Sequence, residues 1–171
     1  MFERTYVMKT KEIVTGALLT ALSLLIPIAF GGYLKVYIPP FSATLASHVP
    51  SMIAMLVSPT AAVMVGLGSA LGFLLIMGPV IAARAFIHVF FGLAGALLIK
   101  KGLSFQKALI LVAPIHAIGE ALIVLPFGFD LQTAFVVVGI GTLLHHFIDS
   151  AISVVMVKAL STGLSLSGKN P

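Results

Sequence analysis

The sequence predicts an all-α integral membrane protein with six transmembrane helices. Its 171 residues are 60% hydrophobic and only 9% charged, and the mean hydropathy is +1.18. A water-soluble domain of this length cannot bury so large an apolar fraction. Long apolar runs, separated by Gly, Pro and charged residues, have the length that a helix needs to cross a bilayer. We therefore expect a multi-pass protein of the cell membrane.

Six apolar segments follow one another along the chain, and each predicts one span. They cover residues 12–30, 44–57, 60–77, 80–99, 105–125 and 132–158. The second is short, and the tight joint at residues 58–60 predicts that it forms a helical hairpin with the third. No small-residue cleavage site accompanies the first, so we interpret it as a retained span. No repeat or second domain is visible, and residues 1–171 are expected to form one six-helix membrane domain.

The basic residues predict the orientation of the spans, since Lys and Arg near span ends are retained on the cytoplasmic side. With both termini cytoplasmic, the basic residues on the inner side are Arg4, Lys9, Lys11, Lys100, Lys101, Lys107, Lys158 and Lys169. Lys35 and Arg84 are the remaining two. External loops then cover residues 31–43, 77–79 and 126–131. The basic residues are scattered in ones and twos, which does not favour a nucleic-acid partner.

The longest external loop, residues 31–43, reads GGYLKVYIPPFSA. Pro39 and Pro40 fix two φ angles and prevent the first helix from continuing. Two interpretations are open. The loop is either a stiff amphipathic lid or a connector that rests Tyr33, Tyr37 and Phe41 at the lipid headgroups.

Ionisable side chains inside the predicted spans are candidate functional groups, because such residues are costly in lipid and usually face protein or a water-filled cavity. Arg84 and His88 lie four residues apart on one helical face, as do His116 and Glu120. A helical rise of about 1.5 Å per residue places both pairs at matching depths from the outer side, with His48 nearby. If the faces meet, they form a polar pocket open to the outside. The alternative is a structural ion pair of Arg84 with Glu120, and the two interpretations are compatible.

A second set of histidines and a carboxylate, His145, His146 and Asp149, repeats the four-residue spacing. Imidazole and carboxylate suit zinc or iron, so an intramembrane metalloenzyme is one alternative. Depth argues against it, since Glu120 lies about 9 Å from the outer edge and Asp149 about 26 Å. Too few ligands would then share one height, and we predict no metal and no cofactor. The sequence also lacks a Ser-His-Asp order, a phosphate-binding glycine loop and a Walker-type lysine, so we do not expect the chain to hydrolyse ATP itself.

Small residues mark two possible helix contacts. Ala17 and Ala21 lie on one face of the first predicted helix, and such faces allow close helix contact in lipid. Gly68 and Gly72 make a comparable pair in the third, for which we predict internal packing.

With these features the chain resembles the substrate-binding S components of energy-coupling factor (ECF) transporters. The resemblance rests on Ala17 and Ala21, on the loop GGYLKVYIPPFSATLASHVP and on ARAFIHVFFGLAGALL, residues 83–98. It implies capture of a vitamin at the outer side, with the first long loop as gate. It also implies that the Ala-x-x-x-Ala face docks on a transmembrane coupling subunit. Two cytoplasmic ATPases would then drive a toppling movement that carries the site inward.

The expected substrate is a small single-ring vitamin or precursor. The residues expected to bind it are Tyr33, Lys35, Tyr37, His48, Arg84, His88, His116 and Glu120. Arg84 or Lys35 would pair with a carboxylate such as nicotinate or pantothenate. A neutral ring, such as hydroxymethylpyrimidine or pyridoxine, would bond to Glu120 and the histidines and stack on the loop aromatics. A self-sufficient secondary transporter, with Glu120 or Asp149 as its proton-coupled carboxylate, is the alternative.

Overall fold

The structure, a computed structural model, describes residues 10–167, with side chains as far as residue 162. Arg4, Lys9 and Lys169, on which the predicted orientation partly rests, lie outside the described residues. The elements in order are α1 (Thr10–Phe30), β1 (Lys35–Ile38), β2 (Phe41–Thr44), α2 (Val49–Val57), α3 (Pro59–Ile76), α4 (Pro79–Lys100), α5 (Phe105–Ile123) and α6 (Ile140–Ser167). A 3-10 turn (Leu125–Phe127) follows α5, and a π-helical segment (Thr133–Gly139) leads into α6.

Within the described residues, five helices are long and apolar enough to cross a membrane. They are Thr10–Phe30, Pro59–Ile76, Pro79–Lys100, Phe105–Phe127 and Thr133–Thr162. The helical, multi-pass membrane class predicted from the sequence is therefore confirmed. Helix α2 has only 9 residues, about 14 Å of helix, which is too short to cross the hydrocarbon core.

The predicted second span, residues 44–57, is a helix only in its last part. Thr44 ends β2, and a turn follows in which Ala46 has φ 67°. Helix α2 starts at Val49 with Pro50 in its first turn, where a missing N–H is tolerated. Ser58 alone separates α2 from α3, and its Oγ accepts a 3.0 Å hydrogen bond from the Ala61 amide, so the predicted tight joint is present.

The loop at residues 31–43 contains an antiparallel β-hairpin, which the all-α prediction missed. Lys35 pairs with Thr44 and Ile38 with Phe41. All of β1 is exposed, whereas the two end residues of β2 are buried. The hairpin therefore rests on the helices through β2 and presents β1 outward.

Glycines bring α1, α3 and α4 close together. A Cβ on Gly66 would lie 2.6 Å from the Val89 backbone nitrogen, so only glycine permits this approach of α3 to α4. Cβ atoms on Gly68 and Gly72 would lie 2.3 and 2.5 Å from side-chain atoms of Thr20 and Leu24 on α1. The predicted role of these two glycines in internal packing is confirmed.

Asp130 fixes the start of the last membrane segment. Its carboxylate accepts hydrogen bonds from the Thr133 amide at 2.9 Å and from the Thr133 hydroxyl at 2.8 Å. The bonds from Thr133 lower the pKa of Asp130 below its usual value. The π-helical segment that follows changes the rotation of the chain before α6, whose polar face then points into the bundle.

Candidate functional site

Arg84 of α4 and Glu120 of α5 form a buried ion pair at the centre of the site. Nε and Nη2 of Arg84 both donate to Oε2 of Glu120, at 2.9 and 2.7 Å. The side chains are 6% and 2% exposed. The polar faces of the two helices therefore meet, as their matching depths predict.

Arg84 also binds the hairpin. Its Nη1 donates to the Pro40 carbonyl at 3.0 Å, and Nη2 is 3.4 Å from the Ser42 carbonyl. The guanidinium carbon lies 5.3 Å from the centre of the Phe41 ring, within cation–π range. One side chain thus joins the hairpin to α4 and α5.

Thr142 of α6 completes the surroundings of Oε2 of Glu120. Its hydroxyl donates to Oε2 at 2.6 Å, and Thr142 is 1% exposed. Sequence reasoning missed this residue. It lies four residues before His146 and seven before Asp149, a spacing that places all three on one face of a helix.

Three histidine rings pack against one another beside the ion pair. The ring centres of His48, His88 and His116 are 4.6 to 5.2 Å apart in edge-to-face contacts. Nε2 of His116 is 3.2 Å, and Nε2 of His88 is 3.8 Å, from Oε1 of Glu120. Oε1 therefore faces the histidines, while Oε2 faces Arg84 and Thr142.

A second carboxylate, Asp149 of α6, approaches His48 from the other side. Oδ1 accepts from the Ala46 amide at 2.8 Å, and Oδ2 accepts from the His48 amide at 2.9 Å. Nε2 of His145 is 3.1 Å from both Oδ2 and the Thr44 carbonyl. Asp149 thus holds the turn between β2 and α2.

The predicted separation of the two carboxylates in depth is wrong. Nδ1 of His48 is 3.2 Å from Asp149, while its ring contacts His116 and His88, which approach Glu120. Counting residues assumed that the outer ends of the fifth and sixth segments are level. Thr142, ten residues into the sixth segment, bonds to Glu120, five residues from the outer end of the fifth, so Asp149 lies only seven residues along α6 from the level of Glu120. His48 lies between the two carboxylates.

A small cavity lies beneath the hairpin, with a volume of about 50 Å³. Of the predicted binding residues, those that line it are Lys35, His48, Arg84, His88 and Glu120. Hydroxyl side chains that the prediction omitted also line it: Ser23, Ser42, Thr44, Ser47 and Ser69.

The other predicted binding residues lie away from the cavity wall. His116 is fully buried behind it, in contact with Glu120. Tyr33 and Tyr37 are 71% and 63% exposed and do not line the cavity. Ala17 and Ala21, the predicted docking residues, are exposed on the outer face of α1.

The fold and the site together define a multi-pass membrane protein with a small cavity beneath the hairpin, lined by polar side chains. Comparison with known proteins gives the family. The chain is 35% identical over 170 residues to the niacin transporter NiaX of Lactococcus lactis subsp. cremoris (strain MG1363), a match that covers 90% of this chain and 76% of the relative. No family model and no solved structure matches it. The chain belongs to the family of S components of ECF vitamin transporters, as its resemblance predicts.

Thr142 provides a test of this geometry. Thr142→Val keeps the shape of the side chain but removes the hydroxyl, so Glu120 loses a hydrogen bond in a buried site. We expect a loss of about 1.5–3 kcal/mol in the free energy of unfolding, measured in detergent. Thr142→Ser retains the hydroxyl and is the control. Equal stabilities of the Val and Ser variants would contradict a contribution from this bond.

Proposed function

We propose that the protein is the substrate-capture subunit of an ECF importer and that its substrate is a pyridine carboxylate of the niacin type. The observation that carries the proposal is the covered cavity, lined by Lys35 and the Arg84–Glu120 pair, in a chain 35% identical to a niacin transporter. The protein would be a binding subunit rather than an enzyme.

The cavity favours a small ligand. A volume of about 50 Å³ corresponds to a few water molecules, and a single ring would enter with a modest displacement of the hairpin. The size therefore supports a one-ring substrate.

Lys35 is the better partner for a substrate carboxylate. Four of the five N–H groups of Arg84 already bond to Glu120, the Pro40 carbonyl and the Ser42 carbonyl. The ion pairs between described residues do not include Lys35. Lys35 lines the cavity, and its Nζ lies 5.0 Å from the Tyr37 ring centre. We assign carboxylate binding to Lys35 and a positioning role to Arg84.

The hairpin would serve as the gate. Its contacts with the bundle include the bonds from Arg84 to two carbonyls and the buried side chain of Phe41. Opening would release these contacts, the burial of β2 and the contact of His145 with the Thr44 carbonyl, whereas β1 is already exposed. Delivery would follow when the exposed Ala17–Ala21 face docks on a coupling subunit that works with two ATPases.

Both carboxylates that would suit a proton-coupled secondary transporter are held by other groups. Glu120 accepts from Arg84 and Thr142, and Asp149 accepts from two backbone amides. Stabilisation of the charged form by these donors opposes proton uptake, which favours a capture subunit over a proton-driven carrier.

Lys35→Gln tests the assigned carboxylate contact. We expect the dissociation constant for nicotinate to rise about tenfold or more, because a charge-assisted bond is lost. The dissociation constant for nicotinamide, which has no charge, should change little. Equilibrium titration of the purified protein measures both, with Lys35→Arg as the control. Unchanged nicotinate affinity in Lys35→Gln would contradict the role of Lys35, and a wild-type protein that binds no nicotinate would contradict the proposed substrate.

Replacement of Ala17 and Ala21 by Leu tests the docking face. Bulky side chains would prevent the close helix contact that small residues allow. We expect the variant to lose co-purification with the coupling subunit and ATPases and to bind nicotinate as the wild type does. Ala29→Leu, at another exposed position of α1, is the matched control. A double variant that still forms the complex would show that the docking face lies elsewhere.

A further inference from the structure

A chain of hydrogen bonds runs from the Leu109 carbonyl through His146 and His116 to Glu120. With both histidines neutral and Glu120 ionised, the last contact of this chain has no hydrogen, and one positive charge is needed to complete it. The Leu109 carbonyl only accepts, so Nε2 of His146 carries the hydrogen of their 2.9 Å bond. Nδ1 of neutral His146 therefore accepts, and Nδ1 of His116 donates across 3.0 Å. Nε2 of His116 then has a lone pair that faces Oε1 of ionised Glu120 at 3.2 Å. The two lone pairs repel, and a cation between them, either a proton or a metal ion, removes the repulsion.

Other donor atoms point to a metal ion. One ligand atom from each of His48, His88, His116 and Glu120 lies within 4.8 Å of the others, and all four residues are buried. Nδ1 of His48 and Nδ1 of His88 are buried without a hydrogen-bond partner. The His48 nitrogen is 3.2 Å from Asp149 but is not aligned for a hydrogen bond. The ring nitrogens nearest to Glu120 are Nε2 of His116 and Nε2 of His88, so the unpaired Nδ1 atoms show that hydrogen bonding around the cluster is incomplete and are not themselves assigned as ligands.

We propose that His48, His88, His116 and Glu120 form a binding site for a divalent transition-metal ion of the zinc class. Three imidazoles and one carboxylate are ligands that zinc prefers. Four such ligands at about 2.0–2.1 Å from a metal stand about 3.3 Å from one another, so small side-chain rotations would close the site. Magnesium and calcium prefer all-oxygen sites, and these residues offer a single carboxylate. This proposal replaces the sequence-based prediction of no metal, which considered ligands from the His116–Glu120 and His145–Asp149 pairs and did not count His48 and His88.

The surroundings of the four ligands suit a metal. Arg84 and Thr142 both donate to Oε2 of Glu120, which orients the carboxylate and directs Oε1 to the histidines. His146 fixes the tautomer of His116 that presents a free Nε2. Partners of this kind orient ligands and raise metal affinity in known sites.

A second group of possible ligands, His48, His145 and Asp149, is the weaker candidate. The two oxygens of Asp149 already accept backbone amides, and Nε2 of His145 contacts both Asp149 and the Thr44 carbonyl. This group offers three ligands rather than four. The two groups share His48, so one metal ion at a time is expected.

The metal would also assist the proposed substrate, and this step rests on the proposed function. Around the cavity and His48, the positive charges of Lys35 and Arg84 balance the negative charges of Glu120 and Asp149. An anionic substrate would leave this group negative. A divalent cation at the cavity wall supplies the missing positive charge, and the carboxylate or ring nitrogen of the substrate would bind it as a fifth ligand.

The test is zinc binding by the purified full-length protein, first treated with a chelator and studied without nicotinate. We expect one zinc ion per chain by calorimetric titration and elemental analysis, with no binding of magnesium. His88→Gln should weaken zinc binding at least about 100-fold. The matched control, His145→Gln, keeps an N–H donor toward Asp149 and should bind zinc as the wild type does. The opposite pattern would overturn the assignment in favour of the second group.

A measurement on the wild type covers the case in which a variant does not fold. X-ray absorption of the zinc-loaded protein should show nitrogen and oxygen ligands at about 2.0–2.1 Å with scattering from three imidazoles. An oxygen-only shell, or no stoichiometric zinc, would overturn the proposal and assign the added charge to a proton. Bound zinc should also raise the affinity for nicotinate about tenfold, and bound nicotinate should raise the affinity for zinc by the same factor. A protein that binds zinc but no nicotinate would refute the proposed substrate alone. A protein that binds nicotinate but no zinc would refute the metal site alone.

Discussion

The buried pairing of Arg84 with Glu120 is the interaction on which the rest of the structure depends. Both charged side chains are buried, so either alone would be strongly destabilising. Three donors satisfy Oε2 of Glu120, and two further N–H groups of Arg84 reach the hairpin carbonyls. The pair thereby joins α4, α5, α6 and the hairpin. It positions both the helices that line the cavity and the hairpin that covers it.

Asp149 supports the same arrangement from α6. It accepts the amides of Ala46 and His48, and so it holds the turn that carries the chain from the hairpin into the bundle. His48 is brought between the two carboxylates as a result. The hairpin is therefore attached at its tip by Arg84 and at its base by Asp149. Such charged attachments are strong when dry and weaken when water enters, which suits a cover that opens to admit a polar substrate.

Periodicity was sufficient to predict part of the site. Arg84 with His88, and His116 with Glu120, share helical faces at a spacing of four, and their costly burial in lipid implies that the faces meet. Thr142 was missed because a hydroxyl inside a span is common and has no charge to attract attention. Its place on one face with His146 and Asp149 was the available signal.

The hairpin and the position of Asp149 were beyond sequence reasoning for a different reason. Residues 35–38 alternate over only four positions, and both strands owe their place to contacts with helices that are distant in sequence. Depth estimates from residue counts assumed that the outer ends of the fifth and sixth segments are level, but Thr142, ten residues into the sixth, bonds to Glu120, five residues from the outer end of the fifth. Tyr33 and Tyr37 were chosen because aromatics often stack on rings, but β1 lies outward and both side chains point away from the cavity.

Hydrogen–deuterium exchange of the hairpin amides, residues 35–44, tests most directly whether the ion pair holds the cover. The variant to compare with the wild type is Arg84→Met with Glu120→Met, which removes the pair without leaving either charge unpaired. The account predicts that hairpin amides exchange about tenfold faster or more, since charge-assisted bonds to Pro40 and Ser42 are lost. Amides in the centre of α3 should be unaffected. Unchanged exchange in the hairpin would show that the cover is held by other contacts and would contradict the central role of the pair.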